Sequence, residues 1–422
     1  MDIHELIKER FGYDRFLGGQ EGIIKSILAG RDVLAVMPTG AGKSLCYQLP
    51  ALMLEGVTIV VSPLISLMTD QVKTLVSKGI SAACINSTLT DVQIRTVMHG
   101  AENGAYKLLY VAPERLESRS FRELSSKMEI SLVAVDEAHC ISLWGEHFRP
   151  VYRRIDDFVS SLDSRPVIAA FTATATKAVR KDIRKYLRLR DSYTYIAGFD
   201  RENLYLGVFS TTDKTGFIIY YLKRNRDKSG LIYCSTRMAA EKVAEELQNA
   251  GINALPYHAG MNAEDRTHSQ EEFISGRVKV ISATSAFGMG IDKPDIRFVI
   301  HYDLPPAIED YYQQIGRAGR DGKPAECLLL FHRGDSGEKI KIIKRSHTDM
   351  PEKERKALIR REIKKQCETA IFADSRTVCL RKKLLSYFGE SYPSSCGYCS
   401  VCAPELIRSY IEPTIDDTGT IS

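Results

Sequence analysis

Eight consecutive residues, Met37-Pro38-Thr39-Gly40-Ala41-Gly42-Lys43-Ser44, combine glycines, a lysine and hydroxyls in the arrangement that cradles a phosphate chain. In such a loop the backbone N–H groups and the N-terminus of the following helix converge on one anion. Lys43 would hold the β- and γ-phosphates as a point charge, and the Ser44 hydroxyl would ligate Mg²⁺. Met37 stands where the usual pattern carries Gly, and a helix-capping turn with an exposed lysine is the competing reading. A second candidate is Asp136-Glu137-Ala138-His139, which follows the apolar run Leu132-Val133-Ala134-Val135. An Asp at the end of a buried strand can hold Mg²⁺ through water, and the adjacent Glu137 can polarise an attacking water as general base. His139 would link this group to Thr172-Ala173-Thr174-Ala175-Thr176, whose hydroxyls could equally cap the helix expected over 178–187. A third candidate is the pair Arg317 and Arg320, set three residues apart in a glycine-rich stretch. On a helix they would share one face and could neutralise a γ-phosphate. A fourth is Cys396-x-x-Cys399-x-x-Cys402, with Cys379 upstream on a helix expected from Arg376 to Phe388. Four thiolates suit a closed tetrahedral zinc site, although an iron–sulfur cluster uses the same donors.

These groups need a scaffold, and the apolar pattern supplies one. Near-continuous runs at 32–36, 57–61, 107–111, 132–135 and 167–171 alternate with helical stretches, as in a parallel sheet buried on both faces. Ligands of such sheets bind at the carboxyl ends of the strands. That is where the phosphate loop, Asp136 and Thr172 fall. A second α/β block begins near Phe199, with strand runs at 231–234, 278–281, 298–300 and 327–331 and a helix from Met238 to Ala250 closed by Gly251. Only the first block carries a phosphate loop, so the second is expected to complete the site across a cleft. Two N-terminal helices flank an aromatic turn, residues 11–20, that ends in Gln20. The Gln20 amide could read an adenine edge, and a capped turn over core aromatics is the alternative. The single Trp, Trp144, lies in a Gly- and Pro-containing loop with Phe148 and Arg149. Such a loop can stack unpaired bases or simply pack beneath its own chain.

At 422 residues the chain has room for two or three domains, and no apolar run reaches the ~18 residues of a membrane span. The start, Met1-Asp2-Ile3-His4-Glu5, lacks a charged-then-apolar leader, and six scattered cysteines suit a reducing, intracellular setting. The net charge of +5 is unevenly spread. Residues 336–390 hold 15 Lys/Arg against 8 Asp/Glu, and the remainder holds 43 against 45. A basic block is ordinarily a solvated helix face and gains meaning only beside other nucleic-acid signals.

The ordered set Gln20, Thr39–Ser44, Ser62-Pro63-Leu64-Ile65-Ser66-Leu67, Asp136–His139, Thr172–Thr174, Tyr233-Cys234-Ser235 and Gly316-Arg317-Ala318-Gly319-Arg320 resembles a superfamily-two helicase. Ala286-Phe287-Gly288-Met289-Gly290-Ile291-Asp292-Lys293-Pro294 and the Trp144 loop narrow the resemblance to RecQ DNA helicases, over about Leu6 to Cys402. It implies an α/β fold of two RecA-like parallel-sheet domains, 1–198 and 199–335, then a small helical zinc-binding subdomain at 336–404 and a loose tail at 405–422. It implies 3′-to-5′ unwinding of DNA driven by ATP and Mg²⁺, in repair or recombination, with single-stranded and tailed or branched duplex DNA as partners and no membrane. Carried onto matching positions, Gln20, Thr39, Gly40, Ala41, Gly42, Lys43 and Ser44 would bind ATP, and Ser44 and Asp136 Mg²⁺. Glu137 would activate water, Arg317 and Arg320 would approach the γ-phosphate, and Trp144, Phe148 and Arg149 would couple single-strand binding to hydrolysis. The resemblance favours zinc on Cys379, Cys396, Cys399 and Cys402, leaving Cys367 a non-ligand.

This sequence departs from the family pattern at Leu17, where Arg is usual, and at Leu143 and Glu146, where Gln and His are usual. The first bears on adenine affinity and the others on coupling. About twenty residues follow Cys402, too few for the winged helix that many members carry. Besides the motor reading, the sequence admits a DNA-stimulated ATPase that remodels or anneals strands with little unwinding. A non-catalytic scaffold is disfavoured by Lys43, Glu137 and Arg320, and an RNA helicase by the Cys₄ module.

Overall fold

The computed structural model describes residues 2–38, 40–142, 149–287, 293–332, 334–348 and 350–408. The chain forms two compact units that part between Phe199 and Asp200. The first unit holds a seven-stranded parallel sheet in the order β3-β4-β2-β5-β6-β1-β7. Its strands are β1 (Val33–Val36), β2 (Val57–Val61), β3 (Ala82–Ile85), β4 (Leu108–Val111), β5 (Ile130–Val135), β6 (Val167–Thr172) and β7 (Tyr193–Ile196). β1, β2 and β4 are buried along their whole length, which is what sheet faces covered by helices on both sides require. β6 lies between β5 and β1, with Thr172 beside Val36 and Ala170 beside Val135. The segments leaving β5, β6 and β1 therefore emerge side by side.

The start of β1 is fixed by a buried ion pair. Asp32, 2% exposed, accepts from the Arg165 guanidinium at 3.1 and 2.6 Å. The same carboxylate accepts from the Ile168 and Arg190 amides at 2.9 and 2.7 Å, so it ties β1 to β6 and to the chain entering β7. Removing Arg165 would strand that charge. Arg165→Ala is expected to destabilise the first unit by about 3 kcal/mol, read as a lowered denaturant midpoint at unchanged slope. An unchanged midpoint would mean that water replaces the pair.

The second unit contains a six-stranded parallel sheet in the order β10-β11-β9-β12-β13-β8. Its strands are β8 (Leu204–Ser210), β9 (Ser229–Tyr233), β10 (Ala254–Tyr257), β11 (Val280–Ala283), β12 (Ile296–His301) and β13 (Ala325–Phe331). The helix Arg237–Asn249 is capped by Thr236, and Gly251, at φ 78°, follows its end. The basic region forms the helices Asp335–Arg345 and Glu352–Ala373, followed by Leu380–Phe388. The cysteine loop extends the sheet rather than standing apart from it. Cys399 makes a parallel bridge to Leu206 of edge strand β8, and the Ser400 amide donates to the Leu206 carbonyl at 2.8 Å. Among the described residues no helix is long and apolar enough to cross a membrane.

Candidate functional site

The phosphate loop leaves β1 with the Met37 amide donating to the Thr172 carbonyl at 2.9 Å. Gly40 and Gly42 take φ of 85° and 71°, values that glycine alone adopts without strain. A Cβ on Gly42 would come within 2.3 Å of the Gln20 amide nitrogen. That nitrogen donates to the Ala41 and Gly42 carbonyls at 3.1 and 3.2 Å, while Oε1 of Gln20 accepts from the Leu17 amide at 2.8 Å. Gln20 thus clamps the loop from the N-terminal turn, and reading an adenine edge requires its donors to leave the loop carbonyls. Lys43 Nζ donates to the Met37 carbonyl at 3.2 Å, so the ammonium lies folded within the loop it closes. The helix Leu45–Met53 begins just after Ser44, whose hydroxyl meets the buried Tyr47 phenol. Thr39 lies outside the described residues.

Asp136 follows β5 and is buried. Burial, then the neighbouring Glu137 charge, pushes its carboxyl up to about 7, against the opposing pull of Lys43. A buried carboxylate that resists ionisation beside a cation is a fitting Mg²⁺ ligand, because the arriving metal supplies the missing positive charge. Glu137 takes a left-handed conformation at φ 47°, a backbone cost of roughly 1–2 kcal/mol for a residue with a side chain. Its Oε2 lies 3.3 Å from Nδ1 of the buried His139. The same nitrogen sits 2.9 Å from the Thr172 hydroxyl, which donates to the Thr174 carbonyl at 3.1 Å. Since the hydroxyl proton goes to Thr174, Nδ1 is the donor toward Thr172. His139 therefore stands between the Glu137 carboxylate, 3.3 Å away, and the Thr172 hydroxyl at the end of β6, to which it is hydrogen-bonded. Thr176 independently caps the helix Lys177–Tyr186. Sequence reasoning missed Tyr152, whose buried hydroxyl donates to the Asp136 carbonyl at 3.1 Å; a lone Tyr in an irregular stretch gives no such signal.

The arginine pair departs from expectation. The helix carrying its approach, Ile308–Ile315, ends before Arg317, and both arginines lie in the turn that follows. The helix stops because Gly316 and Gly319 favour a turn and Gly319 adopts φ 55°. The turn is instead held from outside. Arg201 donates to the Gly316, Ala318 and Gly319 carbonyls at 3.4, 3.0 and 3.0 Å, and Asn203 donates to those of Gly319 and Lys323 at 2.9 Å each. Neither holding residue is legible, since both lie at the start of the second unit, before its first apolar run and outside any motif. Arg317 is buried and hydrogen-bonds the Tyr233 phenol; Arg320 is half-buried. Of the loop residues assigned to DNA, Trp144 and Phe148 lie outside the described residues. Arg149 is 3.6 Å from the Glu114 carboxylate.

The Sγ atoms of Cys379, Cys396, Cys399 and Cys402 all lie within 4.8 Å of one another. A tetrahedral zinc with ~2.3 Å bonds needs sulfurs about 3.8 Å apart, so the four donors fit zinc with little movement. Cys367, on the helix Glu352–Ala373, is not part of the cluster. A second correction concerns Cys379. The helix expected from Arg376 begins only at Leu380, with Cys379 at its N-cap position.

Comparison with known proteins matches three successive segments of the chain. The family described as DEAD/DEAH box helicase matches residues 18–182, the helicase conserved C-terminal domain matches 213–322, and RecQ zinc-binding matches 334–403. The ATP-dependent DNA helicase RecQ of Bacillus subtilis is 45% identical over 94% of this chain and 66% of the relative. The chain spans 61–66% of the length of the curated bacterial RecQ relatives it matches. The probable ATP-dependent DNA helicase RecS of Bacillus subtilis is 37% identical and is matched nearly end to end, over 96% of this chain and 92% of the relative. Among solved structures, S. cerevisiae Dbp5 bound to RNA and ADP BeF3 superposes with a TM-score of 0.64 at 21% identity, covering 85% of this chain and 97% of that one, a likeness of fold. With three helicase-type segments matched in order, a four-cysteine centre in the segment that matches RecQ zinc-binding, and near full-length identity to a curated relative, the chain belongs to the RecQ family of superfamily-two helicases.

Proposed function

We propose that the chain is an ATP-dependent 3′-to-5′ DNA helicase acting on single-stranded and tailed or branched duplex DNA inside the cell. The observation that carries this reading is the convergence of Lys43, Asp136 and the Glu137–His139–Thr172 cluster at adjacent strand ends of one sheet. Gly40, Ala41 and Gly42 present their backbone to the phosphates, with Thr39 beside them. Lys43 exchanges the Met37 carbonyl for phosphate oxygens, and Gln20 exchanges the loop carbonyls for adenine. Ser44 and Asp136 would hold Mg²⁺, which would supply positive charge to the phosphates. Glu137 takes the proton of the attacking water, and Arg317 and Arg320 neutralise the charge that develops on the γ-phosphate. Residues 1–198 and 199–335 act as the two motor domains, and 336–404 supply the zinc module with its basic helices. Trp144, Phe148 and Arg149 engage the single strand. DNA rather than RNA is favoured by the RecQ zinc-binding match and by the RecQ and RecS relatives, which are named as DNA helicases.

Strand separation of a 3′-tailed DNA duplex with ATP and Mg²⁺, beside ATP hydrolysis on the same sample, tests the proposal. Unwinding that requires the 3′ tail supports the motor. DNA-stimulated hydrolysis without strand separation would replace it with a strand-remodelling ATPase, a reading that Leu143 and Glu146 favour. The cluster around His139 makes its own prediction. Thr172→Val keeps the side-chain shape but removes the hydroxyl that His139 contacts. It is expected to lower stimulated kcat roughly 10-fold, less than the ~10²-fold or more of a direct general acid–base group because Thr172 acts through His139, with KM for ATP within about twofold. A rise in KM alone would mean that Thr172 serves nucleotide binding.

A further inference from the structure

We infer that Arg381 is a positioning residue for Arg317 and Arg320, transmitting the folded state of the cysteine module to the arginine turn through Arg201 and Asn203. The inference rests on the reading above for the role of those two arginines. Arg381 is the second residue of the helix Leu380–Phe388, whose N-cap position is Cys379, and it is 3% exposed. Its guanidinium meets the Cys396 sulfur and the Asp200 carboxylate. It also donates to the Arg201 carbonyl at 2.7 Å and the Leu204 carbonyl at 2.6 Å. One buried group therefore touches a zinc ligand and the first residues of the second unit. Those residues in turn hold the arginine turn, through the contacts from Arg201 and Asn203 to the 316–323 carbonyls.

The turn has backbone hydrogen bonds of its own, from the Ala318, Gly322 and Gly319 amides to the Ile315, Gly319 and Ile296 carbonyls at 3.0, 3.0 and 2.9 Å, and Arg201 and Asn203 add the side-chain donors that brace its carbonyls. Its preceding helix has ended, and Gly319 is in the left-handed region, where a Cβ would come within 2.4 Å of the Asn203 amide nitrogen. Arg201 suits the task because its planar fork presents donors to the three carbonyls in a fixed geometry, so less side-chain freedom is lost per hydrogen bond than with a lysine. Without Arg381 the Asp200 carboxylate and two carbonyls lose a charged donor, and the 200–204 backbone is free to shift. Displacing a catalytic group by about 1 Å can cost 10²-fold in rate, so a small shift at Arg201 reaches kcat without altering nucleotide affinity.

The test compares Arg381→Gln, Arg201→Gln and the double variant by three measurements: zinc per chain, hydrogen exchange of the 316–322 amides, and DNA-stimulated ATPase. Each single variant is expected to keep one zinc and to speed exchange across the turn about tenfold. Each should also lower kcat about tenfold with KM for ATP within about twofold, and the double variant should be no worse than the weaker single. Unchanged exchange across the turn in zinc-loaded Arg381→Gln, or losses that multiply in the double variant, would overturn the inference. If Arg381→Gln does not retain zinc, Asp200→Asn removes the partner carboxylate while sparing the cysteines. An unaltered turn in that variant is equally decisive. A wild-type chain that hydrolyses no ATP would defeat the functional reading alone, since the exchange data still decide whether Arg381 holds the turn.

Discussion

Replacing Lys43 with alanine is expected to lower DNA-stimulated ATP turnover roughly 10³-fold while single-stranded DNA binding stays within about threefold. The asymmetry follows from where the ammonium sits. Lys43 is partly exposed, and its hydrogen bond is to a carbonyl of its own loop, so truncating it removes no core packing. Global stability should therefore stay within about 0.5 kcal/mol. What disappears is the cation beside the phosphates, together with the charge that opposes the upward push on the Asp136 carboxyl. On the proposed assignment the variant would weaken Asp136 as a Mg²⁺ ligand as well as the phosphate clamp. DNA contacts assigned to the Trp144 loop and the basic helices do not pass through Lys43. Phosphate release measured beside fluorescence anisotropy of a labelled single strand reads both quantities. Near-normal turnover would remove the phosphate role from this loop.

Which parts of this architecture the sequence discloses follows from burial. Nine strands are visible as apolar runs, and they are the nine with a neighbour on each side in the two sheets. The four that are not visible, β3, β7, β8 and β10, are the four sheet edges. An interior strand between two helical layers is apolar along most of its length, with polar residues such as Arg297 and Glu326 near its ends, whereas an edge has only one flank to satisfy. β7, Tyr193–Ile196, has no fully buried residue, and β10, Ala254–Tyr257, has only its first residue buried. β8 is buried over its first five residues, yet Gly207 interrupts its pattern, and the cysteine loop covering it comes from nearly two hundred residues further along the chain.

The site divides in the same way. The phosphate loop, Asp136, Glu137 and the link through His139 are legible because each stands directly after a legible strand. The arginine turn is legible as chemistry but not as conformation. Its shape is imposed by Arg201 and Asn203 across more than a hundred residues of chain, whereas the spacing of Arg317 and Arg320 alone suggests a helix face. Gln20 shows a subtler limit. Its amide suits an adenine edge, but side-chain chemistry cannot reveal that the Ala41 and Gly42 carbonyls occupy both of its donors.

Loss of the metal is expected to unsettle the second sheet as well as the cysteine loop. Between Cys396 and Cys402 the chain has no helix or ladder of its own among the described residues, and zinc is the group that would hold it closed. That loop is what covers β8. The Ser400 hydroxyl accepts from the Val208 amide at 3.1 Å, the Tyr205 hydroxyl donates to the Ala403 carbonyl at 3.3 Å, and the Tyr205 and Tyr398 rings meet edge to face at 5.4 Å. Cys399→Ser is therefore expected to carry less than about 0.1 zinc per chain and to lower the melting temperature of the second unit by roughly 10 °C. An uncovered β8 would present unpaired N–H and C=O groups, so aggregation should rise with the same substitution. Cys367→Ser is the matched control, because it removes a thiol outside the cluster and should leave both zinc content and melting unchanged. Retention of one zinc by Cys399→Ser would reject the ligand set, and iron in place of zinc in the unaltered chain would reject the metal. If zinc is lost while melting stays unchanged, the contacts to β8 would be sufficient by themselves. The coupling from the cysteine module to the arginine turn would then rest on Arg381 rather than on the metal.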